Sequence, residues 1–290
     1  MLHKLHNLLP PARVGAPPLG DDFHRFEYRG WQKFGDAYHD AWGHVTAPFV
    51  EPMLEALGDI QDLSVLDVAT GPGYGAGRAL QMGAKVTGTD FSATMVRQAA
   101  MLNPGVCFEV GDVHDLPYPD CAFDCVVSNF GVQHFSEPER AFAEMARVLK
   151  PGGKLAFTLW AANIFNRAGE ILSAGLNAHA DAASSVPPGP DWRQLDDEAK
   201  RVEFLTRAGF AACERQSRLV AFPWALKNID ELYEAEFAGS VRSGARLREQ
   251  SPDRQRLIRE AMAQAINQDY RVGVDYVIPM AAHVVWAARR

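Results

Sequence analysis

Residues 65–76, Val-Leu-Asp-Val-Ala-Thr-Gly-Pro-Gly-Tyr-Gly-Ala, constrain this chain more than any other stretch. An apolar run carrying one aspartate, Asp67, reads as the end of a buried strand. A glycine-rich turn follows, and then the start of a helix. Glycine has no side chain to keep a ligand away, so such a turn lets bare backbone approach a bound small molecule. The stretch therefore predicts an α/β domain of nucleotide-binding type.

The surroundings repeat the pattern. Strands are expected at 64–69, 85–90, 106–110, 123–129 and 154–159. Helices are expected at 75–82, 93–102 and 137–149. This alternation implies a mainly parallel sheet covered on both faces. An aromatic-rich helical segment, 23–57, precedes it and is punctuated by Pro48 and Pro52. Residues 1–22, with four prolines, read as a flexible arm. After the fifth strand come a helix, a Pro/Gly-rich loop at 186–190, a helix near 196–208 and a strand at 212–220. Residues 223–272 read as a helical insertion. In it Ile229, Leu232, Tyr233 and Phe237 share one face, and Leu257, Ile258, Ala261, Met262, Ala265 and Ile266 form a stripe. A closing strand, 280–287, lies within a C-terminal segment, 273–290, that completes the core of 58–222.

Composition narrows the function. A net charge of −7 argues against a general nucleic-acid binder. No apolar run is long enough to cross a membrane and Met1–Leu9 has no signal-peptide core, which points to the cytoplasm. The cysteines at 107, 121, 125 and 213 form no CxxC pair and predict no metal site; Cys107 and Cys125 read as small buried hydrophobes. The oligomeric state stays open, a homodimer being one option.

The glycine turn alone also fits a dinucleotide fingerprint, with Asp90 at the spacing of a ribose-binding acid. Three further features tip the choice: Asp67 inside the first strand, Gly111-Asp112-Val113 after the third, and Lys150-Pro151-Gly152-Gly153-Lys154 before the fifth. Together, over residues 60–160, the chain resembles the class I S-adenosylmethionine-dependent methyltransferases, of methyltransferase type 11-like, small-molecule kind. The resemblance implies a Rossmann-like, doubly wound, mostly parallel seven-stranded sheet with the last strand antiparallel, and S-adenosylmethionine as cofactor. It places Gly71 and Gly73 beside the methionine moiety, Asp67 near its amino group, and Asp90 on the ribose hydroxyls. It sets Asp112 and Val113 at the adenine, Phe91 and Met95 on the adenine face, and Ser128 and Asn129 beside the sulfonium. Tyr38 and His39 lie on a segment that often covers the cofactor in this family. Ala69 departs from the glycine common there.

His134, in Gly131-Val132-Gln133-His134-Phe135, is the best-placed general base, with Tyr38 and His39 next, and with packing beside the cofactor as the alternative role for His134. His114 is expected to serve the loop near the adenine. Trp160, Trp224, Tyr233 and Phe237 suggest an apolar pocket for a small organic acceptor, with ordinary core packing as the competing role. Oxygen or carbon methylation is favoured and nitrogen remains open, as in quinone or secondary-metabolite biosynthesis. A dinucleotide oxidoreductase and a non-catalytic cofactor-binding protein are the alternatives.

Overall fold

The computed structural model describes residues 20–162, 165–181, 183–211 and 216–290. Most of the expected N-terminal arm (residues 1–19), Cys213 and the start of the expected 212–220 strand lie outside them. The core strands are β1 (Ser64–Val68), β2 (Lys85–Asp90), β3 (Cys107–Val110), β4 (Phe123–Asn129) and β5 (Leu149–Trp160). They run parallel in the order β3-β2-β1-β4-β5. The long C-terminal strand β9 (Asp275–Arg289) joins antiparallel beside β5.

Beyond β9 the outer edge is shared by two strands, β6 (Phe210–Ala211) and β7 (Ser217–Leu226), while β8 (Arg271–Val272) forms a short hairpin with β9. The sheet thus has nine strands where seven are expected from the sequence. The surplus is β8 and the division of the expected 212–220 strand into β6 and β7. β7 also runs through 223–226, which the sequence pattern assigns to the helical insertion. Pro223 and Pro279 sit opposite each other in the β7–β9 pair. Neither has an N–H, so they can face each other at a non-hydrogen-bonded pair.

Val65, Leu66 and Val68 of β1 are buried, as a central parallel strand covered on both faces requires. Leu66 and Val68 join Phe142, Phe157 and Phe204 in one apolar layer; Val65 joins Met53, Ala79 and Val127 in the other. The covering helices are α3 (Tyr74–Gln81), α4 (Ala93–Leu102), α5 (Pro138–Val148) and α7 (Glu198–Arg207). Cys125 is buried as expected, but Cys107 is exposed, because it opens β3 on the free edge of the sheet.

A helical layer sits with this sheet: α1 (Asp22–Thr46), α2 (Val50–Glu55), α6 (Arg167–His179), α8 (Glu231–Gly239), α9 (Arg242–Arg248) and α10 (Pro252–Asp269). Asp21 caps α1 by accepting the His24 N–H at 2.7 Å. Ser92 and Thr94 hydroxyls, at the start of α4, donate to the Trp31 and Gln32 carbonyls at 3.1 and 3.0 Å and tie α1 to the core. Trp42 Nε1 donates to the Ala235 carbonyl at 3.2 Å and ties α8 to α1. Ile258, Met262 and Ile266 of α10 are buried beside α6, whereas Leu257 of the same expected stripe is exposed.

Ala69, where glycine is common in the family it resembles, has a left-handed backbone with φ +51°. A Cβ in that region costs about 1–2 kcal/mol, and glycine returns part of the gain as unfolded-chain entropy. Ala69→Gly is therefore expected to raise stability by up to about 1 kcal/mol in urea unfolding. A loss of stability would show that the Ala69 methyl contributes more by packing than it costs in strain.

Candidate functional site

In a sheet of this order, ligands bind at the carboxyl ends of the strands, where the connections diverge between β1 and β4. Asp67 is the penultimate residue of β1, Asp90 ends β2, Asn129 ends β4, and Gly111-Asp112 follows β3. The fold thus gathers residues far apart in the chain at one edge.

Three neighbouring cavities that share wall residues occupy this edge. The first, about 70 Å³, is lined by Gly71, Asp90, Phe91, Met95, Asn129 and Tyr38, among others. The second, about 30 Å³, is lined by Phe91, Gly111, Asp112, Val113 and His114. The third, about 630 Å³, adjoins the first through Trp31, Tyr38, Thr46, Phe130 and His134. His134 lines all three.

Gly71 has φ +53°, and a Cβ there would meet nothing within 4 Å, so the bare backbone faces open space. Gly73 is expected beside the ligand too, but its open side faces protein. A Cβ on it would come within 2.7 Å of Asn103 Nδ2 and 2.9 Å of Phe108 Cζ. Its φ of +82° and the tight packing of the turn against β3 and α4 explain the glycine.

Asp67 lies beneath the turn. Its Oδ2 accepts from Thr70 Oγ1 and the Ala76 N–H, both at 2.8 Å, while Oδ1 is buried and accepts nothing from the described residues. Burial pushes its pKa from 3.8 up to about 7, against those two hydrogen bonds and with help from the Asp90 charge. Asp90 Oδ2 accepts the Gly71 N–H at 3.0 Å and Oδ1 the Ser92 N–H at 2.9 Å. Burial raises Asp90 to about 6, opposed by these bonds and by His134.

Two raised carboxylates fit a cationic, hydroxyl-bearing ligand such as S-adenosylmethionine. They also set a pH dependence. A carboxyl raised on folding binds its proton more tightly in the folded state. Stability therefore falls as pH rises from about 4 through 6 and 7. The ligand-free protein is expected to melt at a lower temperature at pH 8 than at pH 5.5. An ammonium near Asp67 would favour its ionised form. S-adenosylhomocysteine binding near pH 6.5 should then release protons, seen as a calorimetric heat that varies with the buffer's ionisation enthalpy. No buffer dependence would remove Asp67 and Asp90 from the ligand's electrostatics.

At the second cavity Asp112 accepts from His114 Nδ1 at 2.7 Å, and His24 Nε2 lies 3.0 Å from its other carboxylate oxygen. Burial works to raise Asp112, but the contacts with His114 and His24 prevail and hold it well below the usual carboxylate range. His114 Nε2 in turn accepts the Glu137 N–H at 3.2 Å. His114 thus orients the loop, as expected; His24, from α1, has no counterpart in the sequence reading. Phe91 meets the His24 ring edge-on at 5.8 Å, and Met95 is buried beside Trp31.

His134 Nδ1 lies 2.9 Å from Glu27 Oε2. Glu27, on α1, is fully buried, and the same oxygen accepts Trp31 Nε1–H at 2.9 Å. The Trp31 ring stands edge-on to His134 at 5.0 Å. With Nδ1–H donated to Glu27, the imidazole lone pair sits on Nε2. Asn129 is fixed from both ends: it donates to the Thr46 carbonyl at 3.2 Å and accepts from Thr158 Oγ1 at 2.7 Å. The Tyr38 hydroxyl donates to Thr46 Oγ1 at 3.3 Å, and burial pushes its pKa up to about 12.

Several expected contacts fall elsewhere. Ser128 is fully buried behind Gly131, whose added Cβ would meet its Oγ at 2.6 Å, so it does not border the cavity. His39 faces Tyr74 Oη at 2.6 Å. Trp224 packs on Trp42 at 5.3 Å, and Tyr233 stacks on Phe237 at 5.9 Å; Trp224, Tyr233 and Phe237 belong to the core between helices and sheet rather than to the third cavity's wall. Trp160 does form that wall, stacked on Phe130 at 4.0 Å.

A family profile described as a methyltransferase domain matches residues 66–157, the strands and turns that build this edge. The demethylmenaquinone methyltransferase of Renibacterium salmoninarum is 36% identical over 139 residues, covering 47% of this chain and 59% of that one. The chain thus matches about three fifths of that relative's length. The demethylmenaquinone methyltransferase of Beutenbergia cavernae is 34% identical over 166 residues, covering 54% of this chain and 69% of that one. Phosphoethanolamine N-methyltransferase 2 of Haemonchus contortus, solved with S-adenosyl-L-methionine, shares the fold at a TM-score of 0.52 and 18% identity, covering 93% of this chain and 60% of that one. The dinucleotide-oxidoreductase reading finds no support in these matches and leaves the segments at 111–113 and 150–154 without a role. By sequence and by fold, the chain belongs to the class I S-adenosylmethionine-dependent methyltransferases.

Proposed function

We propose that this protein transfers a methyl group from S-adenosylmethionine to a small, largely apolar organic acceptor, at oxygen or carbon in preference to nitrogen. A quinone-type acceptor fits the names of the relatives. The observation that carries the reading is His134: it lines the cofactor cavities and the large third cavity alike, and a buried carboxylate holds its Nδ1.

Gly71, Asp90 and Asp112 would hold the cofactor, which when bound would supply a methyl carbon activated by a sulfonium leaving group. The chain's own residues do the rest. Trp31, Tyr38 and Phe130 border both compartments and would orient the acceptor. His134 Nε2 takes the proton from a phenol-type hydroxyl or acidic carbon, and the Glu27 carboxylate stabilises the resulting imidazolium. This is why oxygen and carbon acceptors are preferred over amines.

Release of labelled methyl product from labelled cofactor, screened over phenols, quinones, polyketides and amines, tests the reading. Cofactor binding without turnover on any of them would favour a non-catalytic cofactor-binding protein. The helices α1, α8, α9 and α10 would form a lid that excludes water from the third cavity. Hydrogen exchange in 23–45 and 231–269 should then slow when S-adenosylhomocysteine is added. Full protection in the free protein, unchanged by ligand, would make these helices fixed structure.

A further inference from the structure

The walls of the third cavity differ in character from one part to another. The residues it shares with the cofactor cavity are mostly aromatic: Trp31, Tyr38 and Phe130, with His134. Trp42 and Trp160 extend this surface. Three arginines, Arg193, Arg242 and Arg246, line the third cavity and neither of the other two.

Among the described residues none of the three guanidinium groups is in an ion pair; that of Arg242 lies over the Phe23 ring at 5.2 Å. Elsewhere most surface arginines here are paired: Arg78 with Glu51, Arg147 with Glu144, Arg259 with Asp230. Three acids also line the cavity. Asp196 is held by His283 Nε2 at 3.1 Å. Glu236 is buried and accepts from the Ser243 hydroxyl, and burial raises its pKa. Asp191 accepts the Arg193 backbone N–H at 3.1 Å. The acids equal the arginines in number, but Asp196 and Glu236 are engaged with His283 and Ser243 rather than with a guanidinium, so the three guanidinium groups keep their donors free for a ligand.

We propose that the acceptor is an aromatic acid, bound with its ring and nucleophilic atom among Trp31, Tyr38 and Phe130 and its carboxylate against Arg193, Arg242 and Arg246. The orientation follows from the walls: aromatic residues border the cofactor, and the arginines stand only in the outer compartment. Guanidinium offers a planar fork of donors that matches a carboxylate, so the charged end fixes the direction in which the ring enters. The methyl transfer is the one proposed above, with the proton of the ring hydroxyl passing to His134, so this inference rests on that reading.

The test uses the full chain saturated with S-adenosylhomocysteine. Tryptophan fluorescence is titrated with a hydroxynaphthoic acid, with its methyl ester and with the parent naphthol. The acid is expected to bind roughly tenfold or more tightly than the ester, the range of a charge-assisted hydrogen bond. The triple variant Arg193→Gln/Arg242→Gln/Arg246→Gln is expected to lose that preference while binding S-adenosylhomocysteine as before. Equal affinity for acid and ester overturns the proposal, as does a preference that survives in the triple variant. If labelled methyl is transferred to neutral phenols and the acid is not preferred, the acidic acceptor falls and the methyltransferase reading stands. If none of the three probes quenches the fluorescence, the aromatic acceptor falls as well.

Discussion

Replacing His134 with alanine is expected to lower methyl-transfer turnover by about 10²–10⁴-fold while leaving S-adenosylhomocysteine affinity nearly intact. The expectation rests on geometry. His134 lines every compartment of the site, and Glu27 fixes its tautomer from a position that solvent does not reach. Glu27→Gln provides the second arm. It keeps the volume and an acceptor for His134 Nδ1–H and for Trp31 Nε1–H, so the fold should hold. It removes the negative charge that stabilises an imidazolium, so turnover should fall by about 10-fold or more and the acidic limb of the pH–rate profile should move. Alanine at 27 is a poorer probe, because it would leave two buried donors without a partner. A modest loss in His134→Ala, with an unchanged pH–rate profile, would defeat the base and leave catalysis to proximity and orientation alone.

The contrast between His134 and Glu27 shows where a sequence stops being legible. His134 stands just past a strand end, in a segment whose position in an alternating fold is predictable. Glu27 is 107 residues away in the chain, on a helix whose tilt over the sheet no local pattern specifies. His24, which reaches Asp112, is hidden for the same reason. One signal is available: Glu27 and Trp31 are one helical turn apart, and a carboxylate inside an aromatic stripe needs a partner. The strands and helices of the core are readable because buried parallel strands are apolar runs bounded by glycine and proline; β2, α4 and β4 have the expected limits. The far edge is harder. Proline at 223 and 279 argues against strand by rule, and only the pairing of the two in register removes the objection. The aromatic residues 224, 233 and 237 read in the sequence either as pocket or as ordinary packing, and the fold makes them core, since helix periodicity gives a face but not what that face meets.

Replacing Asp90 with alanine is expected to weaken S-adenosylhomocysteine binding by tens-fold to over a hundred-fold, the cost of about 2–3 kcal/mol for a charge-assisted contact to the two ribose hydroxyls. The structure adds a second route to the same loss. Asp90 accepts the Gly71 and Ser92 N–H groups, so it holds the ligand-facing turn after β1 and caps the approach to α4. Alanine removes the ligand contact and the support of the turn together. The Asp90→Asn variant separates them: the amide carbonyl can still accept one N–H, but the amide nitrogen cannot serve as a second acceptor and the charge is gone. If the direct contact dominates, Asp90→Asn should bind nearly as poorly as Asp90→Ala. If support of the turn dominates, the asparagine variant should recover most of the affinity. The neutral side chain also removes one of the two raised carboxylates, so Asp90→Asn should flatten the fall in stability between pH 5 and 7. Calorimetric affinity that is unchanged in both folded variants would take Asp90 out of the cofactor site and leave it as a structural cap.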